Sequence, residues 1–310
     1  MTVLTRRALV GASAAMVVVS ATPGRAAGKV MRVGYQKYGN LLLLKTSGVL
    51  ESKLRPLGYD VEWREFLSGP PLMEALGAGA IDFGTAGETP PIFAQAAGSP
   101  ILYLGTEPPA PRSEAILVPE GSTIKTLADL RGKRIALNKG SNVHVLYVRA
   151  LEKAGIAYKD VTTVYLSPPD GRAAFERKSV DAWVIWDPYL AAAQAAGNTR
   201  VLADATGLAA NRQFYLGTKR FTDQAAIAAF KAAVTDIDAK TIGATAAAAT
   251  VVSPAVGLPE PIVATALARQ TWGIGPVDAG IVGEQQATAD TFFKLGLIPR
   301  AIRIADAIPA

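Results

Sequence analysis

The sequence of 310 residues contains no cysteine and a single histidine, His144. Without cysteine the chain has no disulfide, no thiolate metal ligand, no cysteine nucleophile and no thiol that could carry a lipoprotein anchor. One histidine cannot form a histidine-rich metal site, so we expect neither a metal nor a cofactor. The motif G-x-S-x-G is also missing, and no nucleophile is marked elsewhere. We therefore predict a protein that is not an enzyme.

A strong excess of one charge is missing as well. The chain has 32 basic and 26 acidic residues, a formal charge of +6. Three of the basic residues, Arg6, Arg7 and Arg25, fall within residues 1–26, where no acid lies, so the remainder carries 29 − 26 = +3. No basic run with interleaved aromatic residues occurs. We expect no nucleic-acid partner.

Long apolar runs are confined to the N-terminal segment. Arg6 and Arg7 precede an apolar run over residues 8–21, and Gly24 and Ala26 are small residues at the −3 and −1 positions of a cleavage site. The run is too short to span a bilayer comfortably. Residues 1–26 therefore predict an export signal and a periplasmic protein. The paired arginines are typical of the twin-arginine route, and the general secretory route stays open.

The rest of the chain alternates predicted strands with predicted helices. Strands at Lys29–Tyr35, Val61–Phe66, Ile81–Thr85 and Ile101–Thr106, with helices between them, predict a parallel sheet. A Pro-rich connector over residues 107–112 ends this unit, and a second α/β unit follows it.

The returning strand and the closing helices complete the predicted organisation. A strand at 211–218 leads into a mostly helical C-terminus. This order predicts an α/β fold of two lobes joined by two crossovers, with a cleft that closes by hinge motion. Residues 27–112 and 213–310 form the first predicted lobe, and residues 113–212 form the second.

Two strand-to-helix turns, one in each predicted lobe, are candidate anion sites. In the first, the strand Ile81–Thr85 runs through Gly87 into a helix that starts near Pro90. In the second, a strand at 134–137 runs into residues 138–144, where Ser141 is a good N-cap. Free amides at a helix N-terminus favour an anion, and ligands of open α/β sheets bind at the carboxyl ends of strands. Each turn taken alone is also an ordinary connection.

Several segments along the chain resemble the aliphatic sulfonate-binding proteins of ABC importers, which are relatives of taurine- and nitrate-binding proteins. The resemblance spans about residues 30–295. It rests on the following segments taken together: GYQK (34–37), FLSGP (66–70), AIDFGTAGETPP (80–91), EAILVP (114–119), VDAW (180–183) and WDPY (186–189).

The resemblance implies a periplasmic-binding-protein fold of the type with two crossovers (type II). It implies capture of a small organic sulfonate anion for an inner-membrane ABC permease in sulfur acquisition, and we expect a monomer. Trp186 is the predicted wall for the ligand's tail. The ligand residues carried over from the family are Gln36, Ser68, Gly69, Gly87, Glu88, Ser141, Asn142, His144, Asp170, Trp186 and Asp187.

Three alternatives stay open at this stage. The same fold could bind taurine, nitrate or an aromatic sulfonate. It could be a cleft enzyme, since desulfinases and pyrimidine-synthesis enzymes resemble this fold, although the desulfinase chemistry uses a cysteine and an export signal opposes a cytosolic biosynthetic role. It could also be a sensor that binds the ligand for a membrane receptor.

Overall fold

The computed structural model describes residues 28–309, so the predicted export signal lies outside the described residues. The described chain forms two five-stranded sheets. The first has the order β2-β1-β3-β10-β4 and the second β7-β6-β8-β5-β9. The first sheet contains β1 (Lys29–Tyr35), β2 (Tyr59–Glu65), β3 (Phe83–Ala86), β4 (Ile101–Thr106) and β10 (Phe214–Thr218). The second contains β5 (Glu114–Pro119), β6 (Arg134–Leu137), β7 (Thr162–Tyr165), β8 (Ala182–Trp186) and β9 (Thr199–Asp204).

Eleven α-helices in residues 28–309 surround the sheets. The helices are α1 (Asn40–Ser47), α2 (Val49–Leu54), α3 (Gly69–Ala78), α4 (Thr89–Ala96), α5 (Val143–Lys153), α6 (Pro168–Glu176), α7 (Tyr189–Ala195), α8 (Gln224–Thr241), α9 (Thr245–Val256), α10 (Glu260–Arg269) and α11 (Ala279–Lys294). No single helix in this part of the chain is long and apolar enough to span a membrane; α9 and α10 reach that length and hydropathy only as a pair bent by 119°.

The two sheets are built on the same plan. Strands β1, β2 and β3 run parallel, as do β6, β7 and β8, because a helix connects each strand to the next. One strand in each sheet, β10 or β5, is antiparallel to both of its neighbours. These are the strands at which the chain enters a sheet after crossing from the other. The predicted α/β fold with two crossovers is confirmed.

The two crossings lie side by side. The first runs from Thr106 to Glu114 and the second from Asp204 to Phe214. The backbone N–H of Glu107 donates to the carbonyl oxygen of Gln213 at 2.8 Å, and the Ala110 N–H donates to Ala210 at 3.0 Å. The connection between the sheets is therefore a paired ribbon, next to the carboxyl ends of the strands.

Both faces of the first sheet are covered by helices from distant parts of the sequence. On one face Val33 and Leu44 pack with Phe230 of α8, and on the other Leu72 and Ile92 lie in the same core as Phe292 of α11. The second sheet has its own core, which includes Leu117, Ile135 and Trp183. Burial on both faces explains why the central strands read as near-continuous apolar runs.

Candidate functional site

A polar space lies between the two sheets at the carboxyl ends of their strands, and we call it the inner chamber. Its volume is about 450 Å³, including the part open to solvent. Both sheets, α3, α4, α5 and the paired crossings contribute to its wall. The wall residues are Gln36, Tyr38, Gly39, Asn40, Gly69, Thr85, Gly87, Pro90, Glu107, Asn142, Trp186, Gln213 and Gln270.

Five of the predicted site residues line the inner chamber: Gln36, Gly69, Gly87, Asn142 and Trp186. They come from both sheets, as the two-turn interpretation requires. Gln36 follows β1, and its Nε2 donates to the carbonyl oxygen of Thr85 at 3.2 Å. Gly69 begins α3 and Gly87 precedes α4, so two helix N-termini reach the chamber.

Gly87 and Asn142 bring the two turns into contact across the chamber. A Cβ added to Gly87 would lie 2.4 Å from the Cβ of Asn142, which is too close for any side chain at this position. Asn142 Nδ2 donates to Glu114 Oε2 at 2.6 Å and to Asn211 Oδ1 at 3.1 Å. Asn142 is thereby anchored to both crossings, which carry these two acceptors.

Ser141 and His144 lie behind Asn142 and do not line the chamber. Asn142, and not Ser141, is the N-cap of α5. The Ser141 hydroxyl instead donates to the carbonyl oxygen of Asn138 at 2.7 Å, which tightens the turn. The predicted cap is therefore wrong, because the helix begins one residue later than the sequence pattern indicates.

His144 is fully buried in an aromatic cluster between α5, α4 and α11. Its Nδ1 accepts the N–H of Gly140 at 3.2 Å, and its Nε2 lies 2.9 Å from the hydroxyl of Tyr158. The rings of Phe93 and Phe292 have centroids 6.0 and 5.4 Å from the imidazole. Burial lowers the pKa of His144 to about 3, so the ring is neutral near pH 7. Its position packs α5 of one sheet unit against α4 and α11 of the other.

The remaining predicted residues also lie outside the chamber wall. Ser68 is the buried N-cap residue of α3. Glu88 accepts the N–H of Arg212 at 3.1 Å, and burial raises its pKa to about 7. Asp187 accepts the N–H of Ala191 at 2.9 Å and pairs with Arg269 at 3.3 Å.

Asp187 and Asp170 differ sharply in burial. Burial raises the pKa of Asp187 to about 6 although Arg269 lowers it. Asp170 is exposed in the first turn of α6, where its carboxylate accepts from the Ser167 hydroxyl at 2.6 Å. Asp170 does not line the inner chamber.

Sequence reasoning missed a polar network on the side of the chamber formed by the first sheet. Tyr215 donates its hydroxyl to Glu107 Oε1 at 2.9 Å, and Asn40 Nδ2 donates to the Tyr215 oxygen at 2.7 Å. Asn40 also donates to Asp238, and Gln270 Nε2 lies 3.4 Å from Asn40 Oδ1. These residues are far apart in sequence, and only the Pro-rich segment around Glu107 carried a local signal.

Tyr38 has a buried hydroxyl that lies near Ser113 but forms no hydrogen bond of standard geometry within the described residues. The ring lines the inner chamber. An unpaired buried hydroxyl is costly unless a ligand or water satisfies it. Tyr38 is therefore a candidate donor to a bound anion.

A second space adjoins the inner chamber, and we call it the outer groove. It has a volume of about 640 Å³, including the part open to solvent, and shares Gln36, Tyr38 and Trp186 with the chamber. Its other wall residues are largely apolar: Phe66, Leu67, Pro188, Tyr189, Ala192, Val256 and Leu258, with Lys37, Glu65 and Arg172 beside them. Lys37 and Glu65 are 3.5 Å apart, and Arg172 Nε lies 2.7 Å from Glu176. A polar chamber thus opens past Trp186 into an apolar groove.

Among residues 28–309, no three His, Asp or Glu side chains come together as a metal site. No Lys or Arg lines the inner chamber within this range. The donors around the chamber are amides, hydroxyls and helix N-termini, which suit an anion whose charge needs no proton transfer.

Comparison with known proteins gives consistent matches. Residues 60–239 match the family described as NMT1/THI5 like. The chain is 42% identical over 283 residues to an aliphatic sulfonates-binding protein of Escherichia coli (strain K12). The aligned residues make up 90% of this chain and 88% of the relative. A taurine-binding periplasmic protein of the same organism is 35% identical over 147 residues, 47% of this chain and 45% of that protein.

Comparison with solved structures agrees with these sequence matches. The alkanesulfonate-binding protein SsuA from Xanthomonas axonopodis pv. citri, bound to MOPS, superposes with a TM-score of 0.86 at 39% identity, over 92% of this chain and 99% of that one. The periplasmic aliphatic sulphonate binding protein SsuA from Escherichia coli gives 0.83 at 41% identity, over 91% and 92%. The desulfurization enzyme DSZB gives 0.65 at 16% identity over 90% and 96%, which shows the fold alone.

Proposed function

The chain belongs to the aliphatic sulfonate-binding proteins of the NMT1/THI5-like family, and from this premise we propose that it captures aliphatic sulfonates in the periplasm as the substrate-binding component of an ABC transporter. The observation that carries the proposal is the sequence match over 90% of the chain. It is supported by the polar inner chamber, whose wall contains no Lys or Arg among the described residues. Uptake of the sulfonate then serves sulfur acquisition. The protein is a binding protein and not an enzyme.

The sulfonate headgroup lies in the inner chamber in this proposal. A sulfonate is a monoanion with three weakly basic oxygens, which match the amides that α3 and α4 present at Gly69 and Gly87. Gln36 and the unpaired Tyr38 hydroxyl add side-chain donors. Asn142 closes the chamber from the second sheet. Ser68, Glu88, Ser141, His144 and Asp187 then support the wall from behind, and a ligand contact at Asp170 stays a prediction.

The carbon tail lies in the outer groove, beyond Trp186. The groove continues directly from the chamber and is walled by apolar side chains. Contact between the tail and this surface contributes through burial of apolar area. This arrangement separates a constant headgroup site from a variable tail site.

The proposal extends to the organisation and location of the protein. Two lobes, residues 27–112 with 213–310 and residues 113–212, enclose the ligand and move about the paired crossings. The chain acts as a monomer that delivers ligand to an inner-membrane permease. The chain is exported by the twin-arginine or the general secretory route and is cleaved near Ala26, which N-terminal sequencing of the periplasmic protein tests. Substitution of both Arg6 and Arg7 by Lys should block export by the twin-arginine route and leave export by the general secretory route normal.

Calorimetry with a panel of anions tests the function. We expect alkanesulfonates to bind more tightly than taurine, nitrate, sulfate and an aromatic sulfonate. Protein prepared in buffers without sulfonates is required, because buffers such as MOPS carry the same headgroup. Binding of nitrate or taurine in preference to every alkanesulfonate would reassign the ligand, and absence of binding to the whole panel would refute the proposal.

A further inference from the structure

Glu107 is a carboxyl group in the wall of a chamber built for an anion. Its residue surface is 2% exposed, and it lies on the first crossing next to Gln213. Within residues 28–309 it has no ion pair with Lys or Arg. An ionised Glu107 would repel a bound monoanion across a chamber with little water to screen the two charges. The proposed function therefore raises the question of how this carboxyl is accommodated.

The groups around Glu107 are mostly neutral or acidic. Tyr215 of β10 donates to Oε1, and Gln270, after α10, also faces the carboxyl. Asp238 of α8 adds a second buried carboxyl on the far side of Asn40. Tyr38, from the loop after β1, faces the same carboxyl.

The nearest charged pair does not neutralise Glu107. Arg269, at the end of α10, and Asp187, after β8, lie near the Tyr38 hydroxyl and form an ion pair with each other. The Arg269 guanidinium is committed to Asp187 at 3.3 Å and to Gln194 Oε1 at 2.6 Å. Its positive charge is therefore balanced within its own pair.

We propose that Glu107 is a specificity-determining acid of the inner chamber, which holds a proton while the sulfonate is bound, so that capture of the anion at alkaline pH, where Glu107 of the free protein is ionised, is accompanied by uptake of a proton. The inference rests on the proposed function. A protonated Glu107 is neutral and adds an O–H donor, whereas a sulfonate offers acceptors alone. The chamber wall then presents donors and no competing negative charge.

The direction of the pKa shift agrees with this role. Burial raises the pKa of Glu107 to about 8, the neighbouring Asp238 carboxyl raises it further, and the hydrogen bond from Tyr215 and the Gln270 amide near the carboxyl oppose the rise. A bound anion raises the same pKa again, because the ionised form becomes still less favourable. The affinity for the sulfonate is accordingly constant below the pKa of Glu107 in the ligand-free protein and falls above that pKa.

Titration calorimetry from pH 6.5 to 9.5 tests the proton coupling. The probe is pentanesulfonate, and Tris and borate are used as buffers because their ionisation enthalpies differ and neither is a sulfonate. For the wild type we expect a constant Kd up to pH about 8 and a Kd that rises above it by up to about tenfold per pH unit. The buffer-dependent heat should show uptake of a proton in the same range.

Glu107→Gln is the decisive variant, because glutamine keeps the shape and a donor and cannot ionise. It should bind pentanesulfonate with a Kd independent of pH and more tightly than the wild type at pH 9.5. Glu88→Gln removes another buried carboxyl with a raised pKa, one outside the chamber wall, and should keep the pH dependence. Tyr215→Phe removes a hydrogen bond that favours the ionised form and should move the fall in affinity to higher pH.

The outcomes separate this inference from the proposed function. Pentanesulfonate binding that does not change with pH in the wild type would overturn the proton coupling and leave the function intact. An unchanged pH dependence in Glu107→Gln, with its loss in Glu88→Gln, would assign the proton to Glu88 and equally overturn it. A wild type that binds no sulfonate at any pH would overturn the function itself.

Discussion

In the proposed function, Trp186 is the residue at which headgroup and tail recognition divide. It is the last residue of β8 and lines both the inner chamber and the outer groove. Its ring meets Tyr189 in a T-shaped arrangement with centroids 6.1 Å apart. A large aromatic side chain in this position supplies apolar contact to a tail without adding a polar partner to the headgroup.

Replacement of Trp186 by Ala should therefore discriminate between ligands. We expect decanesulfonate to lose about tenfold or more in affinity, since burial of several CH₂ groups is worth about 0.8 kcal/mol each. Methanesulfonate should lose much less, because its headgroup donors remain. Calorimetry with both ligands measures the difference, and an equal loss would mean that Trp186 shapes the chamber and does not contact the tail.

Ser141 and Asn142 are adjacent but play different parts. The Ser141 hydroxyl already donates to Asn138, whereas the Asn142 side chain lines the chamber and donates to Glu114 and Asn211. Ser141→Ala should lower the unfolding free energy by about 1 kcal/mol and change sulfonate affinity little. Asn142→Ala, the matched variant at the neighbouring residue, should lower both the unfolding free energy and the sulfonate affinity. A loss of about 10- to 100-fold in affinity for Ser141→Ala would show that this hydroxyl turns to the ligand.

At the scale of elements, the site is made by helix starts that face each other. Helices α3 and α4 begin at the chamber on one side, and α5 begins there on the other. The paired crossings run beside them and supply Glu107, Glu114 and Asn211. Hydrogen bonds therefore join Asn142 of the chamber wall to the paired crossings, and in the proposed function these bonds couple ligand binding to closure of the cleft.

Gly87→Ala tests this coupling. The added Cβ would lie 2.4 Å from the Asn142 Cβ, so the turns before α4 and α5 would have to separate. We expect sulfonate affinity to fall by about tenfold or more, since even a modest shift removes donors from contact with the anion. Small-angle scattering should show that ligand reduces the radius of gyration of the wild type more than that of the variant. Equal compaction in both proteins would contradict the role of this contact in closure.

At the scale of the whole molecule, buried acids are the main electrostatic feature. Burial raises the pKa of Glu88 to about 7, of Glu107 to about 8 and of Asp238 to about 7. Each group is protonated more readily in the folded protein than in the unfolded chain. The folded state therefore binds more protons, and its stability decreases as pH rises through these values.

The melting temperature of the ligand-free protein should accordingly fall from pH 6.5 to 8.5. His144 does not reverse this trend, because its lowered pKa affects stability chiefly below pH about 6.5. A double variant with Glu88→Gln and Glu107→Gln should show a flatter profile in calorimetric scans. A wild-type melting temperature that rises over this range would mean that these carboxyls are ionised in the folded protein.

The sequence by itself determined the α/β class, the positions of most strands and the family. Local signals were sufficient, since alternating apolar strands, glycine turns and helix-starting prolines specify elements within short windows. They also located Gly87 and Trp186, because such residues follow directly after a strand. The segment after β1 forms two helices, α1 and α2, because the chain turns at Gly48, whose φ of +66° is a left-handed conformation that favours glycine.

The tertiary structure alone decided which side chains share the chamber. Asn40, Glu107, Tyr215, Asp238 and Gln270 lie on separate elements, and their network exists because the second crossing returns β10 between β3 and β4. Long-range pairing of this kind leaves no periodic trace in any one segment. The tertiary structure also decided that His144 packs in the core and does not line the chamber, since α5 directs its ring toward Phe93 and Phe292. The burial that raises the pKa of Glu107 is likewise a property of the assembled fold and not of the residues next to Glu107 in sequence.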